Sequence, residues 1–349
     1  MRTLLALPRW LLANLKNEVL VLPSRSFVLA GCVALLALPL GWDDPYALRV
    51  LTMAAIFAIY AASWDLLAGY TGQVSFGHAL FFGVGAYTSA LLTLRLGWSP
   101  WLAVPAGSLA AMAACVLAGI LCLRLRGAYL SLATLAFPLI LTGVLFAFPD
   151  FSGGELGISG FGRVVASPLG NYYLAVVVML ALVFVMWKIG DSNTGLIFHA
   201  IREDELTARA SGINTTRYKL LAFALSSLFA GVSGALFAHF LRVAGPSTLE
   251  VALSFQAVIW GIFGGAATIY GPVIAVFVLY PLTELLAVFE TFKEIRLLIF
   301  AVVVLLVLLF MPRGLAPWVR DKIEAACPRC KNRNAFMRRN CRLCGASLK

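Results

Sequence analysis

Long apolar runs separated by short polar or glycine-rich stretches dominate the chain. Runs over 27–42, 47–67, 74–94, 101–123, 128–147, 171–189, 218–240, 252–266, 270–288 and 296–311 predict helices. Their lengths, roughly 16 to 23 residues, suit a hydrocarbon core about 30 Å thick. The pattern predicts an all-α polytopic membrane protein of about ten transmembrane helices.

Composition sharpens this. Apolar residues make up 61% of 349 and charged residues 12%, against about 45–50% and about 25% in ordinary soluble domains, so a water-soluble globule is excluded. The formal charge of +11 is unevenly placed: residues 313–349 carry a net +8 and the preceding 312 only +3. With a cytoplasmic N-terminus, ten spans put 21 Lys/Arg on the inner side and 6 outside, the bias expected of cytoplasmic loops. Both termini are therefore expected in the cytoplasm. Residues 1–26, with Arg2, Arg9, Lys16 and Arg25 among short apolar clusters, read as a cytoplasmic amphipathic segment rather than a signal peptide.

Two loops are long. The outer one, 148–170, is rich in Gly and Ser. The inner one, 190–217, is polar, and its stretch 197–211 predicts one short cytoplasmic helix, with Gly212 at the C′ position and Asn214 capping the next helix.

Nothing in the chain matches a phosphate-cradling P-loop, so no nucleotide is expected to bind this chain alone, and any ATP-driven role needs a separate ATPase. No H-E-x-x-H, paired-Asp or Ser/His signature marks the spans as an enzyme. Ionisable residues within the apolar runs or at their edges are few, and Asp65, His78, His239, Glu250 and Glu284 are the main ones. The segment Gly-Tyr-Thr-Gly-Gln-Val-Ser-Phe-Gly-His at 69–78 reads in two ways. It is either a broken helix facing a substrate path, or a tight turn followed by a close-packing face of Gly77, Gly83 and Gly85.

Residues 69–87, GYTGQVSFGHALFFGVGAY, closely resemble a motif of the membrane permeases of branched-chain amino acid ABC importers, of the LivM-like type. Three more stretches agree in order and spacing: GGELGISG at 153–160, AIREDELTARASGINTTRYKLL at 200–221 and MPRG at 311–314. The resemblance covers roughly 45–315, and the permease domain is expected over 27–312. It implies a multi-pass protein of the bacterial inner (plasma) membrane that works with a second permease subunit, two ABC ATPase subunits and a periplasmic substrate-binding protein. It also implies that the inner helix is the ATPase-coupling element, carried by Ile201, Arg202, Glu203, Asp204, Glu205, Ala208 and Gly212. Gln73, Ser75, Phe76 and His78 are the residues expected along the substrate path. Asp65 departs from the pattern, where an uncharged Asn-like residue is expected, so its carboxylate either pairs locally or alters specificity. Related permeases carry urea, short amides or aromatic acids, and those substrates stay open. An ion-coupled secondary transporter is the alternative from another class, with few buried carboxylates to support it.

The tail departs from the resemblance. After a linker at 313–324, residues 325–349 hold Cys327-Pro-Arg-Cys330 and, ten residues on, Cys341-Arg-Leu-Cys344-Gly345. Two such knuckles match a tetrahedral four-thiolate structural zinc site, a small cytoplasmic zinc ribbon, although the same knuckles also take iron. Arg329, Lys331, Arg333, Arg338, Arg339 and Arg342 interleave with the ligands. Beside a membrane they favour anionic lipid or an ATPase surface over nucleic acid.

Overall fold

Local signals at chain turns set the helix ends. Asp44 accepts from the backbone N–H groups of Tyr46 (3.2 Å) and Ala47 (3.4 Å) ahead of Pro45. Ser167 accepts from Gly170 (3.0 Å) ahead of Pro168, and Asn214 from Arg217 (3.1 Å). Gly97, at φ +66, closes another helix in the left-handed conformation. The computed structural model describes residues 23–41, 44–122, 125, 127–288, 295–331, 333–335, 340–341 and 344–347. Most of the segment 1–26 lies outside the described residues.

The helices are α1 (Pro23–Gly41), α2 (Pro45–Trp64, continued by a π turn, Asp65–Gly69), α3 (His78–Leu96), α4 (Pro100–Cys122), α5 (Ala128–Ala147), α6 (Pro149–Ser152) and α7 (Pro168–Gly190). They continue with α8 (Asn193–Glu203), α9 (Glu205–Ala210), α10 (Thr215–Leu241), α11 (Val251–Gly264), α12 (Tyr270–Val288), α13 (Arg296–Phe310) and α14 (Leu315–Ile323). Each of the ten predicted runs carries one apolar helix. Among the described residues seven helices (α2–α5, α7, α10 and α12) are long and apolar enough to cross a membrane; counting α13 with α14 as one span makes eight.

Residues 44–315 form one compact unit, and the residues before and after it form a second. In the first, α2 is the central helix and is almost wholly buried. Around it α3, α4 and α10 meet backbone to backbone. A Cβ on Gly85 would lie 2.3 Å from the Gly231 carbonyl oxygen, and one on Gly234 1.9 Å from that of Phe82. Such contact substitutes close packing for the hydrophobic drive that lipid removes. The outer faces of α5 and α7 expose Leu132, Ile140, Val177 and Phe184.

The loop 148–170 and the loop containing α8 and α9 lie at opposite ends of the bundle, because α7 runs between them. The loop 148–170 is tied down: Ile158 and Ser159 pair antiparallel with Ala244 and Val243. Arg242 Nε donates to the Phe161 carbonyl (3.1 Å), and Arg95 donates to the carbonyls of Asp150 (2.8 Å) and Phe151 (3.1 Å).

Two helix expectations change. The run 252–266 becomes a helix of 14 residues, about 21 Å long and too short for the hydrocarbon core. The segment 243–249, with Ala244, Thr248 and Leu249 buried, has already carried the chain from Arg242 to Gly83, whose absent Cβ makes room for Leu249, so α11 begins inside the bundle. The expected helix at 197–211 is two helices, broken at Asp204 (φ −154, ψ 109). The stretch taken as linker is helical over Leu315–Ile323 and then enters a hairpin, Glu324–Ala326 with Arg333–Ala335.

Candidate coupling and metal sites

The loop between α7 and α10 is anchored on three sides. Phe198, Ile201 and Ala208 are buried. The His199 ring lies 4.7 Å from that of Tyr70, and Tyr70 itself fills the space above Gly190, where a Cβ would come within 2.7 Å of its ring. Burial first, and the Arg202 guanidinium second, push the His199 imidazole below its ordinary range, so it stays neutral at pH 7. Arg202 reaches across to the Gly69 carbonyl oxygen at the end of the π turn, 2.5 Å away.

Asp204 explains the break. Its carboxylate accepts from the Thr207 hydroxyl (2.5 Å) and the N–H groups of Leu206 (2.8 Å) and Thr207 (3.3 Å), capping α9 and holding its own carboxyl below the usual range. Glu205 is also committed internally. It meets Arg209 Nη2 at 2.7 Å, the Thr215 hydroxyl at 3.3 Å and the Lys219 ammonium at 2.5 Å. Burial alone would raise its carboxyl; Lys219, Arg209 and Thr215 outweigh burial and hold it low. Glu203 is exposed and has no side-chain hydrogen bond or ion pair among the described residues. Gly212 has φ +83, as a C′ glycine requires. Of the expected coupling residues, Ile201 and Ala208 pack, Arg202, Asp204 and Glu205 hold the loop together, and Glu203 is left for an outside surface. The Lys219 and Tyr70 contacts had no local signal, since each partner lies far along the chain.

The stretch 72–77 is non-helical between α2 and α3, and its backbone is satisfied by neighbouring helices. The Ser131 hydroxyl donates to the Val74 carbonyl (2.7 Å), the Phe76 N–H to the Thr134 hydroxyl (3.1 Å), and the Ala79 N–H to Ser254 (2.9 Å). At Gly77 a Cβ would lie 2.0 Å from the Thr134 carbonyl oxygen. Ser75 and His78 are fully buried: His78 Nε2 meets the Ser63 hydroxyl at 2.8 Å and its ring packs on Tyr60. Gln73 and Phe76 are partly accessible. The four residues chosen for a path thus divide into an interior pair and a more open pair.

Asp65, also fully buried, pairs locally. It accepts from the N–H groups of Ala267 (2.7 Å), Thr268 (3.0 Å) and Ile269 (2.9 Å).

In the second unit the Sγ atoms of Cys327, Cys330, Cys341 and Cys344 lie within 4.8 Å of one another. Cys327–Cys344 and Cys330–Cys341 approach to 3.5 Å, near the edge of about 3.8 Å of a tetrahedron with metal–sulfur bonds of about 2.3 Å. The two knuckles repeat one turn: the N–H groups of Lys331 and Gly345 donate to the carbonyls of Cys327 (2.9 Å) and Cys341 (3.1 Å). Both donors are left-handed, at φ +55 and φ +68. The N–H groups of Cys330 and Arg329 hold the Cys327 thiol below its ordinary range, against a smaller effect of burial. Four thiols so disposed can hold a metal ion.

A bundle of apolar helices with a buried, broken segment and an anchored polar loop at one end defines a multi-pass membrane protein. The family described as branched-chain amino acid transport system / permease component matches residues 46–308, and the chain belongs to it. The permease protein LivM of the high-affinity branched-chain amino acid transport system of Salmonella typhimurium is 28% identical over 335 residues, 87% of this chain and 78% of that protein. LivM of Escherichia coli is 28% identical over 324 residues, 84% and 76% of the two chains. The ribose import permease protein RbsC of Escherichia coli is 25% identical over 192 residues, 51% of this chain and 59% of that one. The family match ends before the four cysteines, so the cysteine cluster lies outside the matched residues.

Proposed function

We propose that this chain is the LivM-like permease subunit of an ABC importer for branched-chain or related hydrophobic amino acids. ATP hydrolysis is supplied by separate ATPase subunits, which press on α8 and α9. A second permease subunit completes the path, and a periplasmic binding protein delivers substrate at the end bearing the tied-down 148–170 loop. The α8–α9 end faces the cytoplasm, with both termini on that side, in keeping with the Lys/Arg bias. The membrane is a bacterial inner membrane.

The observation that carries this reading is the state of the loop. Arg202 and Glu205 are consumed in bracing it against α2 and α10, while the exposed Glu203 beside the break at Asp204 has no internal work. A braced helix pair with a free charge suits transmitting force from a docked partner. The four cysteines would hold a structural zinc ion, each knuckle supplying two thiolates, which orders a module too small to fold on an apolar core alone.

The test is Glu203→Lys in the complex purified with its partner chains and reconstituted with leucine as the transported probe. Uptake should fall about tenfold or more while ATP hydrolysis persists, as a like-charge contact at an interface costs several kcal/mol. Unchanged uptake would remove Glu203 from the interface.

A further inference from the structure

We propose that Asp65 is a positioning residue for transport: it latches the break between α11 and α12 to the same turn of α2 that Arg202 of the coupling loop grips. The two contacts make one joint. The inference deepens the coupling reading and rests on it.

Asp65 opens the π turn and Gly69 closes it. A π turn is a common marker of functional positions inside helices. Oδ1 of Asp65 takes the Ala267 N–H, and Oδ2 takes those of Thr268 and Ile269. Three successive N–H groups converging on one carboxylate form an anion nest, here filled from within the chain.

That nest is strained. Ala267 and Ile269 both have positive φ, +62 and +58. Ile269 is the centre of a three-residue turn closed by the Tyr270 N–H on the Thr268 carbonyl, 2.6 Å. A β-branched residue in the left-handed region persists only where its surroundings enforce it, and the carboxylate of Asp65 is the enforcing group. Two glycines admit the fit. A Cβ on Gly69 would lie 2.0 Å from Asp65 Oδ1 and 2.6 Å from the Ala267 nitrogen; one on Gly314, in the 311–314 stretch, 2.4 Å from Gly265 Cα.

Arg202 donates to the carbonyl of that same Gly69. A shift of α8 therefore pulls on the floor of the nest, and the strained loop offers a second arrangement of the broken helix pair once the carboxylate is displaced.

The experiment uses the full complex in proteoliposomes. Hydrogen exchange is read over residues 265–270 for the unmodified protein, Asp65→Asn and Arg202→Ala, alongside ATP hydrolysis and ATP-driven leucine uptake. Arg202→Ala, whose lost hydrogen bond is to Gly69, should speed exchange at 265–270 severalfold. Asp65→Asn, which keeps one acceptor oxygen, should do the same and lower uptake per ATP hydrolysed by about 2- to 30-fold, the range of 0.5–2 kcal/mol in coupling. Unchanged exchange in Arg202→Ala, or undiminished uptake per ATP in Asp65→Asn, overturns the proposal. If Asp65→Asn does not assemble, the Arg202→Ala exchange decides. If the unmodified complex shows no ATP-driven uptake, the coupling reading fails, while the exchange comparison still tests the joint.

Discussion

Glu205→Gln removes the negative charge facing Lys219 and leaves the ammonium of a residue that is only 4% exposed without that counter-charge. The side chains of Lys219 and Glu205 are 5% and 21% exposed. The pair thus lies between an exposed ion pair worth about 0–1 kcal/mol and a fully buried one whose breakage costs about 3–5 kcal/mol. The Gln oxygen still accepts one hydrogen bond, so the cost should be about 2 kcal/mol. Two kcal/mol is a factor of about 30 in the opening equilibrium of α9, and amide exchange over residues 205–210 should quicken by that factor. Glu205→Gln combined with Lys219→Met removes both charges, and most of the protection should return. Exchange that is unchanged in the single variant, or equally fast in the double variant, would refute the argument that this pair holds the loop.

The same pair predicts a pH dependence. Glu205 is held below its ordinary value of 4.5, so its stabilisation is fully present above that value and is lost as pH falls through the lowered one. A spin label at the exposed Ala210 should keep constant mobility from neutral pH down to about 5 and loosen below about 4, whereas loosening between 5 and 7 would contradict the assignment. Gly234→Ala, with its Cβ 1.9 Å from the Phe82 carbonyl oxygen, must push α3 and α10 apart at about 1–3 kcal/mol or more. It should lower the yield of monodisperse protein, while Gly143→Ala, with open space at its Cβ, should not; equal yields would argue against backbone contact there. Metal analysis of the purified protein should find about one zinc per chain, lost in Cys341→Ser with the helical body still assembled, and retention of full metal content would exclude Cys341 as a ligand.

Features that depend on neighbours in sequence were legible. The apolar runs located ten helices because a helix in lipid must satisfy its backbone within its own segment, and the knuckles located the cysteine cluster because each turn is closed by residues three or four apart. Asn214 as a cap and Gly212 as a left-handed stop are equally local. Long-range partners were not legible. Asp65 looked like an exception because its donors lie some 200 residues away, and Glu205 looked like a surface charge because Lys219 lies a full loop further on. The break in the loop helix was hidden by residues with good helix propensity on both sides; Asp204 prevails there because its carboxylate satisfies orphan N–H groups. The shortness of α11 depends on the short strand and 3-10 turn at 243–249, which hydropathy does not distinguish from the end of a span.

Uptake into sealed vesicles tests the central claim most directly, comparing this chain alone under an imposed proton or sodium gradient with the chain assembled with its ATPase and permease partners, binding protein and ATP. The account predicts leucine accumulation only in the second preparation, abolished when ATP is withheld. Uphill accumulation by the single chain on an ion gradient would contradict it.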